Sequence, residues 1–393
     1  MSALLTRLLG MNQNRTVDQQ IAVFGQSGSG KTVLLCSFYG AARDKIQLDQ
    51  SLFDLHAQDN RHTTLISQYL GMKEDHKVPQ LTRFASVQTE FKLKQKGLGL
   101  KELAKTDSVR LTWWDYPGDW FERGTSTESE RQDKAQTFRK LLGSDVALFL
   151  VDGQRLQEYV GEEERYLRYL FDSFSSTLND IQDDILQSGG LLKQFPRIWV
   201  LALSKADLWP DMTVQDFENL LNKKAASEIN TLRSKLLEFI EDDEAFSFGK
   251  DFLLLSSAKF SLGSIDMSER KGIDVLLPLA CVLPIQRHLW WHELKILPMN
   301  LAEKLLDLEL VKALVPVAIK ALRIGKGTGK IKYLAAGAFA DLVEQMADQS
   351  FDSLARIQAE ATEKREFLRA LVADFTQRLN QAENDRVLLR DSK

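Results

Sequence analysis

The stretch Phe24–Thr32, read F-G-Q-S-G-S-G-K-T, limits what this chain can fold into more than any other. An apolar run, Ile21-Ala22-Val23-Phe24, precedes it, and a helix-compatible run, Val33-Leu34-Leu35-Cys36, follows. The order is strand, glycine-rich turn, helix. Gly25, Gly30, Lys31 and Thr32 fit G-x-x-x-x-G-K-[ST], the spacing of a loop that cradles phosphate. Gly25, Gly28 and Gly30 open dihedrals closed to other residues, so that backbone N–H groups can approach a phosphate closely. The helix beginning near Lys31 adds its unpaired N–H groups and the positive end of its dipole. The expected phosphate contacts therefore run through Gly25, Gln26, Ser27, Gly28, Ser29, Gly30, Lys31, Thr32 and Val33. Lys31 would reach the β- and γ-phosphates and Thr32 would offer its hydroxyl to Mg²⁺.

A chain of 393 residues has room for two or three domains. Its net charge of −4 gives no support for nucleic-acid binding. Two cysteines, Cys36 and Cys281, are too few for a disulfide framework and suit a reducing cytosol. The start of the chain lacks the basic region and apolar core of a signal peptide. No run reaches the roughly 18 apolar residues of a spanning helix. Leu4, Leu5, Leu8 and Leu9 make a small amphipathic face in a segment taken as 1–17.

Along the chain, Val33–Ala42 reads as the first crossover helix, followed by a polar tract at 43–80 read as an insertion of short helices and loops. Ala85–Leu93 alternates apolar and polar, the signature of a half-buried strand, and Val109–Trp114 reads as its partner. Asp145–Val151 and Arg197–Leu203 are apolar runs of strand length, suited to parallel strands covered on both faces. Gln154–Leu186 reads as helical. Thr213 is the expected N-cap of a helix running to about Ile240. Phe252–Leu255 begins a last strand. Strands alternating with helices predict an α/β fold, a doubly wound and mostly parallel sheet.

Three further clusters fall at strand ends: Asp115-Tyr116-Pro117-Gly118, Ser204-Lys205-Ala206-Asp207 and Ser257-Ala258-Lys259. With the phosphate loop, these resemble the motifs of a GTPase of the translation-factor and Ras-related class of P-loop proteins, over roughly 18–295. The resemblance implies that Asp115 holds Mg²⁺ through water and that the Gly118 N–H senses the γ-phosphate. It implies that the Asp207 carboxylate accepts from guanine N1–H and the exocyclic amine, that the Lys205 stem lies along the base, and that the Ala258 N–H meets O6. Ser204 stands where the pattern has Asn or Thr, and its hydroxyl can still bond back to the phosphate loop. The segment Pro79-x-x-Thr82-Arg83 and D-Y-P-G look similar to the YcjX-type GTPases.

The same resemblance calls for a threonine that clasps Mg²⁺ and the γ-phosphate. Thr82 is favoured, with Thr63 and Thr64 as rivals. Arg83 could serve as an arginine finger in cis; Arg61 is its rival, since Arg61-x-x-Thr64 has the spacing of heterotrimeric G-protein α subunits. Asp119 occupies the place where Ras-like enzymes put Gln shortly after D-x-x-G, leaving Asp119, Glu122 or a partner to position water.

The last part, 296–393, reads as a separate helical domain. A hairpin has the basic tip Gly325–Lys330, and a long helix over Phe351–Leu389 carries Leu354, Ile357, Phe367, Leu371, Phe375, Leu379 and Ala382 along one side. The whole implies a cytoplasmic switch with GTP/GDP and Mg²⁺ as ligands and a protein partner, or self-association, through the C-terminal helices. Contact with a membrane surface is left open. A dynamin-like assembling GTPase and a nucleotide-holding scaffold with little hydrolysis remain alternatives.

Overall fold

The computed structural model describes residues 17–44, 51–58, 60–79, 87–95, 109–121, 127–187, 190–192, 195–241, 246–261, 264–293 and 354–391. The 1–16 segment, Thr82, Arg83, Glu122 and the hairpin around 325–330 lie outside them.

The apolar runs become the inner strands of an eight-stranded sheet. Its strands are β1 (Val17–Phe24), β2 (Phe53–Ala57), β3 (Val87–Gln95), β4 (Val109–Asp115), β5 (Val146–Asp152), β6 (Ile198–Ser204), β7 (Ser247–Leu254) and a short final strand (Leu388–Leu389). From β7 through β6, β5 and β1 to β4 the pairing is parallel. β3 and then β2 extend this core antiparallel at one edge, and the final strand does so at the other. Every residue of β5 and β6 is buried, as expected where helices cover both faces. Alternate residues supply two cores. Val23, Leu148 and Val200 face α1 (Lys31–Ala41) and α2 (Arg61–Asp75). Phe24, Phe149 and Trp199 face α3 (Glu128–Leu141) and the helices after β5 and β6. On that second face Phe24 stacks on Trp199 with centroids 4.9 Å apart.

The structure corrects four expectations. Among the described residues, the tract 43–80 holds a strand and a fifteen-residue helix where short helices and loops were expected. β2 is short, and only Phe53 and Leu55 in F-D-L-H-A face inward, too brief an alternation to register as a strand signal. α2 docks on α1 through Leu65, Tyr69 and Met72, and Tyr69 lies so close to Gly40 that an added Cβ would sit 2.1 Å from its ring. The helical span after β5 is two helices, α4 (Gly153–Glu158) and α5 (Glu163–Gln187), interrupted at Gly161 with φ of 90°. The span after β6 is likewise split at Ala225, into α6 (Val214–Lys224) and α7 (Ala226–Leu237).

The fourth correction is to the domain boundary. The long terminal helix, α9 (Leu354–Asn384), is joined to the sheet at its C-terminal end. Phe367, Leu371, Phe375 and Leu379 are buried in the same core as α1 and α8 (Leu276–Glu293). Phe375 meets Phe53 of β2 with centroids 5.6 Å apart. The final strand, β8, then pairs with β7. A stripe of apolar residues needs cover of any kind, and burial of each such side chain contributes roughly 1.5–3 kcal/mol. Here a sheet face supplies that cover.

The chain end is pinned further. Buried Arg287 of α8 pairs with buried Asp251 of β7 at 2.5 Å, and the Asp391 N–H donates to Asp251 Oδ1 at 3.0 Å. α8 runs on through Pro284, and Pro278 lies in its first turn, where the missing N–H costs nothing. No helix among the described residues is long and apolar enough to cross a membrane.

Thr213 caps α6 as the sequence indicates. Its Oγ1 accepts from the Asp216 N–H at 3.2 Å while Asp216 Oδ2 accepts from the Thr213 N–H at 3.0 Å. Thr213→Ala should cost about 1 kcal/mol of stability, read as a lowered denaturation midpoint with an unchanged slope.

Candidate nucleotide site

The turn between β1 and α1 has the geometry of a cradle. Gly28 and Gly30 adopt φ of 80° and 92°, left-handed values that favour glycine. The Ser29 N–H closes the turn on Gln26 O at 3.2 Å. Buried Lys31 curls over the loop, its Nζ donating to Gly25 O at 2.7 Å and Gln26 O at 3.1 Å, with the Tyr116 ring 5.0 Å away. Thr32 Oγ1 donates to Asp115 Oδ2 at 3.1 Å, joining the loop to the end of β4.

Two residues of D-Y-P-G lock onto the loop. The Gly25 N–H donates to the Tyr116 hydroxyl at 2.9 Å, and burial pushes the Tyr116 phenol up, keeping it neutral. Gly118 packs so closely that an added Cβ would sit 2.5 Å from Ser27 Cα, a contact only glycine permits. Asp119 follows on the 3₁₀ turn Gly118–Phe121; it is half-buried and does not line the cavity.

That cavity, about 510 Å³, runs from Ser27–Val33 and Gly118 to Lys205, Asp207 and Ser257. It is a volume suited to a small ligand. At the far end Asp207 is held from both sides: Oδ1 accepts from the Ser256 hydroxyl at 2.7 Å and Oδ2 from the Phe260 N–H at 3.1 Å. Lys205, in a left-handed conformation with φ of 54°, donates to Asp152 Oδ2 at 2.9 Å and Gln154 Oε1 at 3.0 Å. The sequence motifs, widely spaced in the chain, thus share one cavity.

The model of the Double-GTPase 2 family matches residues 19–256, more than half of the chain. The chain belongs to the Double-GTPase 2 family. It is a P-loop GTPase by family and fold, loosely of the YcjX type, and that membership implies guanine-nucleotide binding. No curated protein matches the chain. Among solved structures, the FeoB G-domain from Methanococcus jannaschii is similar at 12% identity, covering 67% of this chain and 94% of that one, with a TM-score of 0.24. The fold assignment rests on the strand order itself.

In this Double-GTPase 2 chain several residues depart from their expected places. The Ser204 hydroxyl donates to Val151 O at 3.2 Å, along β5 rather than back to the phosphate loop. Ala258 is fully buried and does not line the cavity; its carbonyl lies 2.6 Å from the Ser256 hydroxyl. Lys259 begins a small hairpin and pairs with Glu269 at 3.0 Å in solvent. Ser257 and Phe260 line the cavity instead. The shift follows from Ser256: the sequence holds two adjacent serines, and the first of them, not the second, reaches Asp207. Thr63 and Thr64 are exposed on α2, away from the cavity, and Arg61 Nε donates to Thr89 Oγ1 at 3.2 Å.

Tyr116 and Phe260 line the cavity, Ser256 holds Asp207, and Arg155 bonds to Gln26 and Ser27 of the loop, four roles that the motif patterns do not specify. Only Tyr116 carried a signal, as an aromatic inside D-x-x-G.

Proposed function

We propose that this Double-GTPase 2 chain is a Mg²⁺-dependent GTPase that works as a conformational switch. The observation that carries the reading is the Thr32–Asp115 bond of 3.1 Å at one end of the cavity, with Asp207 fixed between Ser256 and Phe260 at the other. A hydroxyl and a carboxylate are hard oxygen donors already brought together, which fits magnesium. Thr32 and Asp115 would hold the ion, Asp115 through water, and the bound ion would neutralise charge on the β- and γ-phosphate oxygens. Lys31 would leave the Gly25 and Gln26 carbonyls for those oxygens, which, being charged, are stronger acceptors. Water attacks the γ-phosphorus and the bond to the β-bridging oxygen breaks, giving GDP and inorganic phosphate. The Ser27–Ser29 backbone, the Gly118 N–H, and Thr82 from outside the described residues would meet the γ-phosphate. Asp119 would reach the attacking water only if its 3₁₀ turn moved.

The helical C-terminal part would carry the change to a partner. Phe375 of α9 rests on Phe53 of β2, and the final strand β8 pairs with β7, which leads into Ser256 and Ser257. One helix thus touches the sheet's antiparallel extension and connects to the strand below Asp207.

Lys31→Ala should lower affinity for GTP and GDP by roughly a hundredfold or more, since two charge-assisted bonds of about 1.5–3 kcal/mol each are lost. Phosphate release should stop with it, and chelating Mg²⁺ should stop release in the wild type. Unchanged affinity in Lys31→Ala would remove the loop as the phosphate site.

A further inference from the structure

We propose that Arg155 is a built-in arginine for the γ-phosphate, supplied by α4 rather than by the 61–83 region or by a partner. The inference rests on the GTPase reading above and deepens it.

α4 is firmly seated. Asp152 Oδ1 accepts from the Gln154 N–H at 3.0 Å, and the Trp209 indole donates to Gly153 O at 2.9 Å. Gly153 packs on the Ser204 carbonyl so tightly that a Cβ would lie 2.5 Å from it. From this base the Arg155 guanidinium reaches the phosphate loop: Nη1 donates to Gln26 Oε1 at 2.9 Å and Nη2 to Ser27 O at 3.2 Å. Ser27 is the loop residue against which Gly118 packs, so Gly118 and Arg155 contact the same residue of the loop. If Gly118 senses the γ-phosphate, Arg155 stands at the same end of the cradle. Its neighbours Gln154 and Gln157 line the cavity, which puts this helix at the cavity rim.

The chemistry fits the place. Arginine stays charged at any working pH and presents a fork that matches phosphoryl oxygens. A γ-phosphoryl oxygen gaining charge is a stronger acceptor than the Gln26 amide oxygen or the Ser27 carbonyl. Lys31 bonds to the Gly25 and Gln26 backbone carbonyls and Arg155 to the Gln26 side chain and the Ser27 carbonyl, so the two cations meet the loop at Gln26 through different atoms. An arginine delivered to this charge is worth roughly 10³–10⁵ in rate in related chemistry. A merely structural clamp on Gln26–Ser27 would instead support every nucleotide alike.

The test uses the full chain as wild type, Arg155→Ala, Arg155→Gln and Arg155→Lys. GDP affinity, formation of the GDP–aluminium fluoride complex and single-turnover hydrolysis are measured on each. In Arg155→Ala and Arg155→Gln, GDP affinity should stay within about threefold of wild type. The aluminium fluoride complex should be lost and the single-turnover rate should fall by roughly a hundredfold or more. Arg155→Lys, which keeps the charge but not the fork, should recover part of both. An equal fall in affinity for GDP and for a triphosphate analogue would overturn the proposal in favour of a clamp. An unchanged single-turnover rate would overturn it outright. Failure of the wild type itself to bind GDP would sink the GTPase reading beneath it, a result distinct from either.

Discussion

Asp207→Asn should weaken guanosine nucleotide binding at least about a hundredfold and admit xanthosine nucleotides. On the proposed reading the Asp207 carboxylate accepts from guanine N1–H and from the exocyclic amine. Its orientation is set in advance by the Ser256 hydroxyl at 2.7 Å and the Phe260 N–H at 3.1 Å, so little ordering is left for the nucleotide to impose. Two bonds to a charged acceptor are worth about 1.5–3 kcal/mol each. An amide keeps one acceptor but turns a donor toward the guanine amine, leaving both unsatisfied. Xanthine has a carbonyl at that position, which the amide can meet. Competition between GDP and its xanthosine counterpart reads the exchange directly. An unchanged preference for guanosine would take Asp207 out of base recognition.

Arg287→Ala should cost about 3–5 kcal/mol of folding stability, because it leaves the Asp251 carboxylate buried without its partner. Asp251 is fully buried, and burial pushes its carboxyl above the usual carboxylate range even with Arg287 beside it. Without the guanidinium that push is less opposed. A carboxyl whose folded pKa is raised contributes stability below its unfolded pKa and loses it as pH rises through the folded value. The deficit of Arg287→Ala should therefore be small in acid, near and below the ordinary carboxylate pKa, and grow toward neutrality. Urea titrations at acid and at neutral pH measure it. A loss below about 1 kcal/mol at neutral pH would contradict the account of how β7, α8 and the chain end are joined.

Much of this molecule is legible in its sequence, and the reasons differ by part. The inner strands are written plainly because a parallel strand covered on both faces must be apolar throughout, as Val146–Asp152 and Ile198–Ser204 nearly are. The phosphate loop and D-Y-P-G are local patterns whose spacing is their chemistry. Edges read less well. β2 offers only Phe53 and Leu55 to the core, and the pairing that makes it a strand comes from β3, far along the chain. The terminal helix showed its apolar stripe, but a stripe does not say whether a second chain or a sheet face will cover it. Phe375 against Phe53 decides that.

In the site, the residue choice at Asp207 was visible while its support was not. Ser256 and Ser257 are chemically alike, and only the path of the chain after Leu254 determines which hydroxyl turns toward Asp207. Arg155 belongs to no motif. Its contact with Ser27 spans 128 residues and depends on α4 being seated by Gly153.

The central claim is that one cavity holds a guanine nucleotide between the Gly25–Thr32 loop and Asp207. Calorimetric titration of the purified chain with GDP, a slowly hydrolysed GTP analogue and ATP, each with Mg²⁺, tests it most directly. The account predicts micromolar or tighter binding of both guanine nucleotides and no heat from ATP. Tight ATP binding beside weak guanine binding would contradict it, and the roles given to Asp207, Ser256 and Ser257 would fall together.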